Sequence, residues 1–170
     1  MSEPMQRSAA RVQQEYFYDG RPMITETDLS GRITFANRKF TEMSAYPKHE
    51  LVGRSHSIIR HPDMPEACFR LMWEAIRTGK SWQGYVKNRR KDGNFYWVVV
   101  HIEPKKESDD IVGYIAVRRR PDPEVLETIK NIYEEARMLE YAGELHGAEN
   151  LVVQTARVNA ESFPQEIRFV

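Results

Sequence analysis

The chain has a single cysteine, Cys68, in 170 residues. That excludes an internal disulfide framework and any multi-cysteine zinc or iron–sulfur site. No apolar run approaches the roughly 18 residues of a membrane helix, and the N-terminus lacks the hydrophobic core of a signal peptide. Neither charge is in excess: 25 basic and 25 acidic side chains give a formal charge of zero, so nothing general favours nucleic acid or an acidic membrane as partner. There is no internal repeat and no low-complexity block. The cytoplasm is the simplest compartment, and a partner would have to supply any membrane span.

What is present suits a folded chain. Hydrophobic residues make up 41% and charged residues 29%, a balance unlike that of disordered chains. The length allows one domain with extensions. Three segments are predicted: 1–20 as an N-terminal cap, 21–120 as the domain proper, and 121–170 as a C-terminal helix with a linker or tail.

A short helix is expected around Ala9, Val12 and Tyr16, broken by Asp19-Gly20-Arg21-Pro22. Met23–Thr27 and Arg32–Ala36 read as a hairpin around Asp28–Gly31. Asn37 is placed to cap a helix from Arg38 to about Met43. Pro47, Gly53 and Pro62 leave room only for short helical turns. After Pro65, the residues Cys68, Phe69, Met72, Trp73 and Ile76 recur at helical spacing up to Gly79.

Three strands follow, Trp82–Arg90, Phe95–Pro104 and Ile111–Arg119, the first two joined by a turn at Gly93. Alternation puts Trp82, Gly84, Val86 and Asn88 on one face. Both faces of the second strand are apolar, Tyr96, Val98, Val100 and Ile102 against Phe95, Trp97 and Val99, so something must pack on each side of the sheet. The candidates for the second side are the N-terminal segment, the helix after Pro123, or another chain. Glu124 to about Tyr141 is predicted helical along Val125, Ile129, Ile132, Ala136 and Leu139, and Asn150–Val158 fits strand or helix equally. The fold class is α+β: a five-stranded antiparallel sheet with short helices and one longer helix on one face, plus flanking segments.

The stretch Asn37–Tyr46 followed by Glu50-Leu51-Val52-Gly53 resembles the first half of a PAS domain. Ile59-Arg60-His61-Pro62-Asp63-Met64-Pro65, then Met72-Trp73, Gly79, Trp82, Gly84, Val86–Lys91 and Tyr96-Trp97-Val98, is similar to the flavin-binding PAS domain of bacterial aerotaxis receptors. The likeness runs from about Pro22 to Arg120. It stops before the membrane anchor and long signalling helix of that family, which implies a transducer or chemoreceptor signalling domain in a longer parent chain or as a separate protein. It implies FAD as cofactor and a binding site drawn from Arg60, His61, Asp63, Trp82, Asn88, His56 and Asn37.

Read as residues alone, several of these have plainer roles. Asp63 suits a cap for the helix beginning at Pro65 as well as it suits a clamp with Arg60 and His61 on a polar ligand. Asn88 on an inward strand face needs partners for its amide, which a flavin's pyrimidine edge offers and backbone groups near the hairpin also offer. Trp82 fits a cavity wall or ordinary core. His49, His56, His61 and Cys68 match no metal-ligand spacing. Cys68, on the apolar side of a helix, reads as a small core residue and not as a photoreactive thiol. No nucleophile–base pair, paired catalytic carboxylates or phosphate-binding loop points to an enzyme. The expected function is a non-catalytic FAD-dependent redox sensor for aerotaxis, homodimeric or monomeric. The alternative is a cofactor-free PAS module that mediates protein interaction or dimerisation.

Overall fold

The computed structural model describes residues 12–162. Its centre is one antiparallel sheet of five strands: β1 (Met23–Thr27), β2 (Ile33–Ala36), β3 (Trp82–Arg89), β4 (Phe95–Glu107) and β5 (Asp110–Arg119), in the order β2-β1-β5-β4-β3. The first hairpin closes through Asp28, whose Oδ1 accepts from the backbone N–H groups of Ser30 and Arg32. The β3–β4 turn is shaped by Gly93 at φ +86°, a conformation that costs a residue without Cβ little.

The chain between β2 and β3 forms α1 (Arg38–Ser44), α2 (Lys48–Leu51), a 3₁₀ turn (His56–Ile59) and α3 (Glu66–Arg77). These cover one face of the sheet. Asn37 caps α1, accepting from Phe40 N at 3.0 Å, and also accepts from Ile24 N at 3.1 Å, which ties the helix to β1. Register sets the inward side chains: Asn88 opposite Tyr96, Val86 opposite Val98, Val100 opposite Arg118 and Ile102 opposite Ala116.

The second apolar face of β4 is covered from within the chain. After β5, Asp122 caps α4 (Pro123–Tyr141), which turns at Gly143 into α5 (Leu145–Ser162). The buried stripe of α4 is Leu126, Ile129, Tyr133 and Ala136, rotated by one residue from the expected Val125 and Ile132 because Tyr133 is the side chain that meets the sheet. Its ring stacks on Trp97 at 6.3 Å and its hydroxyl donates to Tyr85 O at 2.7 Å. Removing side chains such as Trp97 and Val99 from water contributes roughly 1.5–3 kcal/mol each. The segment left open between strand and helix is helical, inside α5, with Ala148, Val152 and Thr155 buried at helical spacing.

The expected N-terminal helix is not formed where the chain is described, and Ala9 lies outside the described residues. The chain is extended there instead, with Tyr16 N donating to Phe95 O at 2.7 Å and Phe95 N to Gln14 O at 3.1 Å. The reason lies in the sheet. β5 pairs with β4 only from Val99 onward, so the first residues of β4 expose backbone groups that the N-terminal segment satisfies. Among the described residues no helix is long and apolar enough to cross a membrane.

Candidate ligand-binding site

A cavity of about 280 Å³ lies between the inner sheet face and the helices. Val86, Val100, Ile102 and Ala116 form its sheet wall, and Ile59, Met72 and Ile76 face them. Such a volume is close to the lower end of ordinary ligand pockets, roughly 300–1,000 Å³. α3 shapes the cavity mouth: Trp73 meets Tyr114 edge-on at 5.6 Å, and a side chain at Gly31 would come within 3.0 Å of the Trp73 ring.

The polar groups in this apolar space are few and incompletely partnered. Asn88 is 2% exposed and lines the cavity, and its Nδ2 makes no well-formed hydrogen bond; the hydroxyl of Tyr96, opposite it in register, interacts with Asn88 but makes no well-formed bond either. A buried donor without an acceptor costs about 1–3 kcal/mol, a cost that a ligand with an acceptor edge removes. Arg118, 4% exposed, also lines the cavity and donates to His56 Nε2 at 2.8 Å and to Thr25 Oγ1 at 3.0 Å. Burial, with Arg118 beside it, pushes the His56 pKa down to about 3. At the mouth two exposed guanidiniums lie over aromatic rings, Arg60 at 3.6 Å from the Phe69 centroid and Arg77 at 4.8 Å from that of Trp73. The described cavity walls hold three arginines and no aspartate or glutamate. The arrangement sets hydrogen-bond donors and positive charge around an apolar space.

Three of the seven expected site residues, His56, Arg60 and Asn88, line this cavity. The other four do not, and each has a structural partner set. Asn37 is committed to α1, β1 and Pro22 O. Trp82 folds back over its own strand, so a Cβ at Gly84 would collide with the indole. His61, 2% exposed, accepts from Asp63 N at Nδ1 and contacts Gln13 Oε1 through Nε2 at 2.9 Å, with Phe95 edge-on. Asp63 binds Lys87 Nζ at 2.9 Å and lies 3.4 Å from Arg137 of α4. The loop therefore wraps the β3 edge, with Arg60 at the cavity and His61 and Asp63 on the far side.

Asp63 does not cap α3 either. Two backbone N–H groups of that helix, at Glu66 and Ala67, donate to the Glu140 carboxylate of α4 at 3.0 Å each. Cys68 is fully buried, away from the cavity, 3.6 Å from the Tyr133 hydroxyl, and burial pushes its thiol up to about 12. Among the described residues no group of three or more His, Cys, Asp or Glu is placed to hold a metal ion. Sequence reasoning missed Arg77 and Arg118. The alternation Tyr114, Ala116, Arg118 carries the signal for the second, masked by the run Arg118-Arg119-Arg120 that reads as solvated charge.

The family model for the PAS fold matches residues 33–118. The chain belongs to the PAS family. This PAS domain is 40% identical over 115 residues to the aerotaxis receptor of Escherichia coli strain K12, covering 68% of the chain and 23% of that receptor. The chain thus spans under a quarter of that relative's length. Its fold is shared with the light-state structure of the blue-light photoreceptor Aureochrome1 LOV, TM-score 0.59 at 21% identity, over 64% of this chain and 88% of that one. A light-oxygen-voltage domain studied with a flavin analogue superposes with a TM-score of 0.55 at 18% identity, over 74% of this chain and 89% of that one.

Proposed function

We propose that this PAS domain is a non-catalytic redox sensor that binds FAD in the cavity between sheet and helices and serves aerotaxis-type signalling. The observation that carries the reading is the buried Asn88 side chain, whose Nδ2 makes no well-formed hydrogen bond, inside an apolar cavity bordered by three arginines and no carboxylate among the described residues. Asn88 would offer its donor to an acceptor on the pyrimidine edge of a flavin. Val86, Val100 and Ala116 on one side, with Met72 and Ile76 on the other, would hold the ring plane and exclude water. Arg60 and Arg77, ion-paired to no carboxylate among the described residues, suit the two phosphates of FAD better than the one of FMN. A bound flavin supplies a two-electron carrier whose charge and hydrogen-bonding pattern differ between its oxidised and reduced forms.

The residues around it supply a route outward. Arg60 sits at the cavity, Asp63 three residues on reaches Arg137 of α4, and Glu140 of α4 holds the start of α3, whose later turns wall the cavity. A change in what Asn88 or Arg60 contacts would bear on how α4 and α5 are held, and so on a chemotaxis-type signalling partner, in the same chain or separate.

Purified protein is expected to be yellow, with flavin bands in the blue and near ultraviolet, and heat should release FAD identifiable by chromatography. Release of FMN alone would overturn the choice of cofactor. A colourless, fully folded protein that takes up no flavin would favour the interaction-module alternative.

A further inference from the structure

Among the described residues, Arg118 is a buried cation with no anion beside it. Its two hydrogen-bond acceptors, His56 Nε2 and Thr25 Oγ1, are uncharged. A guanidinium can only donate, so His56 must present a lone pair at Nε2 and is therefore a neutral ring. The other groups facing Arg118 are the phenols of Tyr96 and Tyr18 and the ring of Phe40, its centroid 4.8 Å away. No carboxylate is among them, and none lines the cavity among the described residues. Buried charges in proteins are ordinarily paired. Here the group that completes the pair has to come from the cavity's occupant.

We infer that Arg118 is the counter-charge for the cavity's ligand and that it favours the form of a bound flavin that carries negative charge. The inference rests on the flavin reading above and deepens it. Two electrons and one proton convert the neutral oxidised ring into a reduced ring with one negative charge delocalised on its pyrimidine side, and a second proton would neutralise it. The electrons come from a reductant, dithionite in the experiment and an electron-transfer partner in the cell. A guanidinium fixed in a water-poor wall stabilises the singly protonated anion over the uncharged forms. Arg60 and Arg77, exposed at the mouth, are screened by water and act on phosphates instead. Arg118 is thus the residue that sets the potential at which the sensor switches.

The test uses the full chain reconstituted with FAD, titrated with dithionite against a reference dye, and compares affinities for oxidised and reduced flavin. Arg118→Met removes the charge at similar length, and Arg118→Lys keeps it. The expected result for Arg118→Met is reduced FAD weakened tenfold or more relative to oxidised FAD. That is a fall in midpoint potential of about 30 mV for a two-electron couple. Arg118→Lys should stay within about threefold of the wild-type ratio. If Arg118→Met does not fold, Arg118→Gln, which retains donors for His56 and Thr25, carries the comparison with the same expectation. Flavin uptake with an unchanged ratio in the uncharged variants would overturn the assignment of Arg118 alone. A wild-type chain that takes up no flavin would overturn the flavin reading and this inference with it.

Discussion

His56, half-buried beside the cavity, and His61, buried behind it, are both held as neutral rings. His61 accepts a backbone N–H at Nδ1, so a proton there would break the bond that shapes the loop. Burial, then the nearby Lys87, pushes its pKa down to about 4, and burial with Arg118 pushes that of His56 to about 3. In the unfolded chain both titrate near the ordinary value of about 6.5. Below that pH the unfolded state binds protons that the folded state refuses. Their contribution to stability is therefore full above about pH 6.5 and is lost as pH falls. For His61 the loss between pH 7 and pH 5 is on the order of 2 kcal/mol, with His56 acting in the same direction. Urea unfolding at the two pH values should show this drop, and His61→Gln should reduce it. Equal stability at pH 7 and pH 5 would mean that the rings are free to protonate in place.

At the scale of elements, the N-terminus of α3 is held by another helix. Pro65, its N-cap residue, has no side chain to offer, and Glu140 supplies the missing acceptor from the last turn of α4. A carboxylate at a helix N-terminus satisfies unpaired N–H groups and meets the positive end of the helix dipole, typically for about 0.5–2 kcal/mol. Glu140→Ala should cost about that much and should speed amide exchange in α4 and α5 as their attachment loosens. A variant with wild-type stability and unchanged exchange would show that the contact does not hold the helices. No spacing rule links residue 66 to residue 140, so this cap was not legible in the sequence, where Asp63 was the nearest acidic candidate. Strands and turns were legible because their signals are local. The pairs Met23–Thr27 with Ile33–Ala36, and β3 with β4, follow from alternation around Asp28–Gly31 and Gly93.

In the whole molecule α1 to α3 cover one face of the sheet over the candidate site, while α4 and α5 pack beside β3 and α3, with Tyr133 reaching Trp97 on the other face. Alternation in β4 required cover on both faces without telling which apolar face met the cavity; Tyr133 on Trp97 and Asn88 at the cavity decide it. The loop part of the expected site was hard to read for a related reason. Arg60, His61 and Asp63 are neighbours in sequence, but the loop turns around the β3 edge and sends them to opposite sides. Their shared motif thus joins the cavity to α4, where a local reading takes it for a single ligand clamp. If the cavity binds a flavin, amide chemical-shift mapping of the full chain before and after FAD addition will report it at the residues that line it. The expected result is large shifts at Asn88, Val86, Val100, Ala116, Arg118 and His56, with smaller ones reaching Arg137 and Glu140. A spectrum unchanged by saturating FAD, or shifts confined to the exposed faces of α4 and α5, would contradict the flavin reading.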